Sequence, residues 1–311
     1  MAVTTRDIFG RDVKPEPATP GSYGELPKGE RLPDATQLGA VRLQIADLDR
    51  SIDFYTRVLG FAVLERGEGR AKLGVRDDAR GLIELYERRG VQPARRGLLG
   101  LYHFAILLPD RASLGRLALH LIENGVQPGA GDHLVSEAFY LSDPDGLGIE
   151  VYADRPRSAW RRNGRELMMA TDPVDVDGLI REAGGVRWSG MPKGTVMGHV
   201  HLHVGDLGQA AAFYSDALGF DRTVWSYPAA LFMSAGGYHH HLGTNLWAGP
   251  TAKAPAEDEA QLLEWTIEVP RSDDIDAIER RMTSAGYDAA READALLMKD
   301  PWGTGLRIAL K

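Results

Sequence analysis

Two short runs hold six of the nine histidines in this chain. The first carries His199, His201 and His203, and the second carries the three consecutive residues 239–241. Neutral imidazoles are the commonest protein ligands of first-row divalent metals. We therefore expect a metal site to which both runs contribute, and we expect both runs to be β-strands.

Alternation along the first run strengthens this expectation. Successive side chains of a strand point to opposite faces, so His199, His201 and His203 share one face. An acid also lies within an otherwise apolar strand, because residues 148–152 read Gly-Ile-Glu-Val-Tyr with Glu150 at the centre. Buried acids are rare unless they are paired or bound to a metal. Glu150 is therefore a candidate ligand.

Composition excludes several classes of partner and chemistry. The formal net charge of −8 gives no sign of nucleic acid or an anionic membrane surface as a partner. The chain has no cysteine, which excludes disulfides and thiolate ligands and is typical of a cytoplasmic protein. No stretch approaches the roughly 18 consecutive apolar residues of a membrane span. We expect a cytoplasmic protein with a small-molecule partner, and a homo-oligomer remains open.

An internal repeat organises the chain around these candidates. Residues 47–61 and 206–220 carry Asp-Leu, Phe-Tyr and Leu-Gly-Phe at equal offsets, with apolar residues at helical spacing. Two further units begin with apolar strands at 103–108 and 263–269. Each of them contains an Asp-Pro-x-Gly turn, which starts at Asp143 or Asp300.

The chain is therefore predicted to be an α+β protein of four βαβββ modules. The modules are expected around residues 38–87, 101–153, 197–248 and 261–310. The expected domain organisation is an N-terminal tail or arm (1–37), a first domain of modules one and two (38–155), a linker with a short helix near 174–183 (156–196), and a second domain of modules three and four (197–311).

These modules, their Asp-Leu openings and their Asp-Pro-x-Gly turns resemble the vicinal oxygen chelate superfamily. Within it, the chain is similar to bacterial catechol 2,3-dioxygenases of the extradiol type, over about residues 38–311. The resemblance implies that paired modules curl into half-barrel cups, two in this chain. It also implies that the metal ligands come from the first and last strands of the modules.

The resemblance implies His199, His240 and Glu150 as the metal ligands. His199 lies seven residues before Asp206, where extradiol enzymes place their first histidine, and His240 matches the second. Their glutamate stands seven residues after the aspartate of the turn. Arg307 occupies that position in module four, whereas Glu150 occupies it in module two. The complete set is thus split between modules two and three, so we expect these two modules to form the functional cup.

Two catalytic residues follow from the same resemblance. His103 lies on a strand similar to the one that carries the acid–base histidine, and Tyr140 lies in a segment similar to the one that carries an active-site tyrosine. His103 would exchange a proton with a substrate hydroxyl, and Tyr140 would hold developing charge on a substrate oxygen. Whether His103 is a ligand or an acid–base group stays open. His133, just before the Tyr140 strand, is expected in a surface turn.

The function implied is that of an Fe²⁺-dependent extradiol dioxygenase, with Mn²⁺ as the alternative metal. Its substrates would be O₂ and catechol or a substituted catechol, cleaved beside the diol. Two imidazoles and one carboxylate leave open positions on one side of a metal, which is the pattern of non-haem Fe(II) oxygenases.

Two other functions remain in competition with this one. Glu84, His103 and Glu150 could form a Glu-His-Glu site for Zn²⁺ or Ni²⁺ in a glyoxalase-type lyase or isomerase. Module one has Ala40 where the first ligand of such a site should stand, so we rank this function second. The third is a non-catalytic protein that binds a planar aromatic compound or an antibiotic.

Overall fold

The computed structural model describes residues 3–311 of the chain. It begins with an N-terminal arm, residues 3–17, that contains a helix, α1 (Thr5–Phe9), and a strand, β1 (Glu16–Pro17). Among residues 3–311, no helix has the length and apolar character needed to cross a bilayer.

The first two modules follow the arm. Module one comprises β2 (Gln37–Ile45), α2 (Leu48–Phe54), a π-helical turn (Tyr55–Leu59), β3 (Ala62–Gly67), β4 (Arg70–Gly74) and β5 (Gly81–Glu87). Module two comprises β6 (Gly100–Leu108), α3 (Arg111–Glu123), β7 (Gly129–Asp132), β8 (Ser136–Ser142) and β9 (Gly148–Asp154).

A linker separates these modules from the other two. It comprises a 3₁₀ turn (Arg157–Ala159), β10 (Arg161–Asn163), β11 (Glu166–Leu167) and α4 (Val176–Glu182), which is the helix predicted near 174–183. Module three comprises β12 (Val196–His203), α5 (Leu207–Ala210), a π-helical turn (Ala211–Ala217), β13 (Asp221–Val224), β14 (Ala230–Ser234) and β15 (Leu242–Asn245). Module four comprises β16 (Gln261–Val269), α6 (Ser272–Ser284), β17 (Ala289–Glu292), β18 (Ala295–Lys299) and β19 (Gly305–Leu310).

The repeated aspartates begin the helices of modules one and three. Asp47 and Asp206 each accept a hydrogen bond from the backbone N–H three residues later, at 2.9 and 2.7 Å. An aspartate at this position satisfies a helix N–H that has no partner within the helix. The repeat therefore specifies where each of these helices starts.

Two eight-stranded curled sheets form the two cups, which confirms the predicted α+β class. One has the strand order β13-β14-β15-β12-β6-β9-β8-β7, and the other has the order β17-β18-β19-β16-β2-β5-β4-β3. The antiparallel pairing of β6 with β12 joins module two to module three, and that of β2 with β16 joins module one to module four. The expected pairing of modules two and three is thus confirmed. The division into 38–155 and 197–311 follows the duplication along the chain, and both sheets cross it.

The second histidine run differs from the expected strand. Strand β15 begins only at Leu242, and residues 239–241 precede it in an irregular segment. Gly236 and Gly237 both have φ of +61°, a left-handed conformation that glycine adopts without strain and that interrupts the strand. The prediction that residues 239–241 form a β-strand was therefore wrong.

Equivalent tyrosines link each helix of the repeat to an Asp-Pro-x-Gly turn. The Tyr55 hydroxyl donates to Asp143 over 3.1 Å, and the Tyr214 hydroxyl donates to Asp300 over 2.8 Å. Both tyrosines are fully buried. Burial, with a smaller contribution from the neighbouring Asp145, raises the pKa of Asp143 to about 6.

This shift predicts how stability depends on pH. Below about pH 4 the Asp143 carboxyl is protonated in the folded and unfolded chains alike. Between about pH 4 and about pH 6 the unfolded chain ionises first, so folded stability should fall by roughly 2–3 kcal/mol. Asp143→Asn keeps the acceptor oxygen and should remove that loss, as urea unfolding of the metal-free protein across this range would reveal. Equal pH slopes for the variant and the natural chain would contradict it.

Candidate metal centre

Three adjacent strands place His103, Glu150 and His199 on one face of the module two–three sheet. Ala105 of β6 stands opposite His199 of β12 on one side and Glu150 of β9 on the other. His103 lies two residues before Ala105 and so shares its face. The three side chains therefore converge from the three central strands of one cup.

The three side chains form a compact, buried set of ligand atoms. One ligand atom from each lies within 4.8 Å of the other two. Glu150 Oε2 is 3.0 Å from His103 Nε2 and 3.3 Å from His199 Nε2. The residues are 5%, 2% and 1% exposed for His103, Glu150 and His199 respectively.

The hydrogen bonding of these side chains fits a metal-binding role. Although His103 Nε2 is close to Glu150, the angle is not that of a hydrogen bond, and neither ring nitrogen of His103 has a partner among residues 3–311. His199 Nδ1 is also without a partner in that range. Unpaired buried polar atoms are costly. Two ligand atoms about 2.1 Å from a metal and at right angles to each other are about 3.0 Å apart, so the observed spacing suits a divalent ion.

Charge in this set also suits a cation. Burial lowers the pKa of His199 to about 4, so its imidazole is neutral at neutral pH and has a lone pair to offer. Burial acts to raise the pKa of Glu150, but the two neighbouring imidazoles outweigh it and hold that pKa well below its ordinary value. The set therefore presents the neutral imidazole of His199 beside the carboxylate of Glu150.

His240 lies beside this set without belonging to it. Its ring is 4.1 Å from the ring of His199, measured between centroids. Its Nδ1 is 2.6 Å from His239 Nδ1, and His239 Nε2 donates to Asp154 over 2.9 Å. A neutral His239 can then only accept at Nδ1, in which case His240 Nδ1 carries the shared proton. The second nitrogen of His240, Nε2, has no hydrogen-bond partner in the described part of the chain.

Tyr140 lies on the other side of His103, with ring centroids 5.5 Å apart. Its hydroxyl is 2.5 Å from His133 Nε2, and His133 Nδ1 donates to the carbonyl of Ala170 over 2.7 Å. His133 lies in the predicted turn, between β7 and β8, but the expected surface position was wrong, since His133 is half-buried and lines the cavity. Its carbonyl partner comes from the linker, a contact that no local sequence pattern signals.

One cavity of about 1300 Å³ is lined by the six side chains of His103, Glu150, His199, His240, Tyr140 and His133. Its walls include seven further aromatic or imidazole side chains, namely those of Tyr102, His201, His203, Tyr227, Phe232, Trp247 and Trp302. The Asn245 amide donates to His201 Nε2 over 2.9 Å, which places the His201 proton on Nδ1. This hydrogen bond holds His201 in the cavity wall. His203, which lies on the same face of β12 as His199 and His201, donates to the side-chain oxygen of Asn245 over 2.6 Å.

The corresponding positions of the other sheet carry ion pairs in place of these ligands. Strands β12 and β6 of the module two–three sheet correspond to β2 and β16 of the other sheet. By this correspondence, Ala40 stands at the position of His199 and Glu264 at that of His103. The Asp-Pro-x-Gly turns place Arg307 at the position of Glu150. Arg307 Nε donates to Glu264 over 2.7 Å. This cup therefore balances its carboxylates with guanidinium groups.

The Glu-His-Glu alternative is not assembled. Glu84 lies on β5 in this other sheet, whereas His103 and Glu150 lie on β6 and β9 of the module two–three sheet. Its carboxylate accepts from Arg42 over 2.8 Å and from Tyr86 over 3.0 Å. The prediction that Glu84 could share a metal with His103 was wrong, because the modules pair two with three.

Comparison with known proteins gives the same fold. The family model described as "Glyoxalase/Bleomycin resistance protein/Dioxygenase superfamily" matches residues 37–151 and 196–305. The chain therefore belongs to this superfamily. A catechol-2,3-dioxygenase of Bacillus subtilis (strain 168) is 47% identical over 270 residues, which cover 86% of this chain and 94% of the relative.

Solved structures resemble the whole chain in fold. A candidate dioxygenase from Bacillus subtilis has a TM-score of 0.63 at 15% identity, covering 91% of this chain and 86% of its own. Glyoxalase I from Zea mays has a TM-score of 0.51 at 17% identity, covering 89% and 92%.

Metal content should separate the two ligand sets under consideration. We expect His103→Ala, Glu150→Gln and His199→Ala each to lower retained metal on the order of tenfold or more. His240→Gln and the control Arg307→Met, in the other cup, should keep it. Elemental analysis after anaerobic purification and dialysis measures this. Metal lost from His240→Gln but kept by His103→Ala would favour the set expected from the sequence.

Proposed function

We propose that this chain is an extradiol ring-cleaving dioxygenase acting on catechol or a substituted catechol. The carbon–carbon bond beside the diol would break, and both atoms of O₂ would enter a product of the 2-hydroxymuconic semialdehyde type. The buried set of His103, Glu150 and His199 at a cavity with aromatic walls is the observation that carries this proposal.

We propose Fe²⁺ as the metal, with Mn²⁺ as the alternative that has similar ligand preferences. Two neutral imidazoles and one carboxylate are the ligand set of non-haem iron oxygenases. When bound, the ion would acidify the chelated diol and allow electrons to pass from the ring to dioxygen. Its protein ligands would be His103, Glu150 and His199, so His103 replaces His240 in the ligand set expected from the sequence.

His240 then takes the acid–base role. Its Nδ1 proton is engaged with His239, whose other nitrogen is anchored on Asp154. This leaves Nε2 of His240 with a free lone pair at the edge of the cavity. That atom can accept a proton from a substrate hydroxyl and return it later. Burial lowers the pKa of His240 well below its ordinary value, so it starts neutral.

Tyr140 positions the substrate from the opposite side. Burial raises the pKa of its hydroxyl well above the ordinary value, so it stays protonated. Because that hydroxyl donates to His133 Nε2, its oxygen lone pairs remain available to a substrate hydroxyl that donates. Tyr140 thereby orients one diol oxygen, and the aromatic walls exclude water from the ring.

The comparisons support this function over the alternatives. The relative that is 47% identical and nearly fully covered is a catechol-2,3-dioxygenase. The glyoxalase-type function lacks its expected ligand set because Glu84 is held by Arg42. A binding protein that sequesters an aromatic compound would have no need of three buried ligand atoms.

The proposed function is tested with protein purified anaerobically and loaded with Fe²⁺. On adding catechol in air, we expect a yellow ring-cleavage product and uptake of one O₂ for each product formed. A hemithioacetal offered in parallel should not be converted. Conversion of the hemithioacetal without catechol cleavage would support a glyoxalase, and tight catechol binding with no turnover would support sequestration.

His240→Gln provides a sharper test of the assigned roles. It should retain metal and bind catechol anaerobically, yet lose roughly 100-fold or more in kcat, since an acid–base group typically contributes that much. Steady-state kinetics on protein of measured metal content gives the result. A variant that keeps its metal and most of its kcat would remove His240 from the acid–base role.

A further inference from the structure

The N-terminal arm reaches the cavity that holds the metal centre. The side chain of Val3 lines this cavity together with Met169, Thr171 and Tyr227. Ile8, one turn further on, packs against the aromatic cluster that includes Tyr227 and Phe232. A segment at the far N-terminal end of the chain thus supplies part of the wall around the proposed active site.

Specific hydrogen bonds hold the arm in this place. The carbonyl of Val3 accepts from the backbone N–H of Thr171 over 2.8 Å. Thr5 donates to the Asp172 carboxylate twice, from its backbone N–H over 2.9 Å and from its hydroxyl over 2.5 Å. Asp172 is 167 residues away along the chain. These contacts form a clasp between the arm and residues 169–172 of the linker.

The same linker segment supports the residues that face the substrate. The carbonyl of Ala170 accepts from His133 Nδ1, and His133 in turn accepts from Tyr140. The Thr171 hydroxyl is 2.9 Å from the Tyr227 hydroxyl, and Asp172 exchanges two backbone hydrogen bonds of 2.9 Å with Asp132. The arm therefore contacts a linker segment whose hydrogen bonds hold His133 and Tyr227 in position.

We propose that the N-terminal arm determines substrate specificity, with Val3 limiting the size of the ring substituent and the Thr5–Asp172 clasp holding Val3 in place. This inference rests on the proposed catechol cleavage. Val3 is a small side chain at the wall of a cavity far larger than a single catechol ring needs. The chain should therefore accept catechols with a bulky apolar substituent, such as a phenyl group, and lose them when Val3 is enlarged.

Val3→Trp tests the wall. It should lower kcat/KM for 3-phenylcatechol or 4-phenylcatechol at least roughly tenfold relative to kcat/KM for unsubstituted catechol, as a pocket that rejects a group by shape does. Arg6→Ala, at an exposed position of α1, serves as the matched control and should change neither. If Val3→Trp alters neither phenylcatechol by more than twofold, Val3 does not limit the substituent.

Thr5→Val tests the clasp, because it removes the hydroxyl donor and keeps the side-chain shape. We expect KM for phenylcatechols to change at least threefold with kcat for catechol and the thermal midpoint nearly unchanged. A lower thermal midpoint with unchanged specificity would make the clasp merely structural and would overturn its part of the inference.

Calorimetric measurement of phenylcatechol binding under anaerobic conditions, together with the rates, distinguishes a failure of the proposed function from a failure of the inference about the arm. If the natural chain cleaves no catechol, the proposed function fails. If it cleaves catechol while Val3→Trp leaves both phenylcatechol affinities and rates unchanged, the function stands and the inference about the arm fails.

Discussion

The antiparallel pairing of β6 with β12 is the constraint on which the proposed site depends. It sets His199 beside Ala105, on the face that His103 shares two residues earlier in β6, and the parallel neighbour β9 adds Glu150 on the other side of Ala105. A slip of one residue in this register would turn one histidine to the opposite face of the sheet. Each strand is central in its sheet, with a partner on both sides, so the ligand positions are held by hydrogen-bonded backbone and not by loops.

One helix of the repeat reinforces this arrangement from outside the site, and its equivalent supports the other sheet. Tyr55 and Tyr214 reach from modules one and three to the aspartates that open the turns before β9 and β19. Glu150 stands seven residues after Asp143, so the turn that Tyr55 contacts directly precedes the strand carrying the carboxylate. Module one thus supports a site to which it contributes no ligand. This explains how residues 3–311 hold one candidate metal centre while retaining the contacts of the duplication.

Much of this fold could be predicted because its signals are local. The aspartate caps, the Leu-Gly-Phe helix ends and the Asp-Pro-x-Gly turns lie at fixed offsets, and alternation placed His199 on a strand. Glu150 was a visible anomaly in an apolar strand. The roles of His103 and His240 could not be separated in this way, because they depend on which modules share a sheet and on the glycine turn before β15. His133 and the arm were missed as parts of the site since their partners, Ala170 and Asp172, lie far away in sequence.

The two cups balance the negative charge of their carboxylates in different ways. In the module one–four sheet, Arg42 and Arg307 bring two positive charges to the carboxylates of Glu84 and Glu264. These four side chains carry no net charge without a bound ion. In the module two–three sheet, burial keeps the His199 imidazole neutral. Imidazoles that bind a metal are neutral, so Glu150 would be the lone charge of the ligand set. A buried, uncompensated carboxylate is unfavourable. A divalent cation would reverse this charge to a net +1, which a singly ionised diol would neutralise in turn. The site would then have zero net charge only with both a metal ion and a diol anion bound. This requirement would favour binding of anionic bidentate ligands over neutral aromatic compounds.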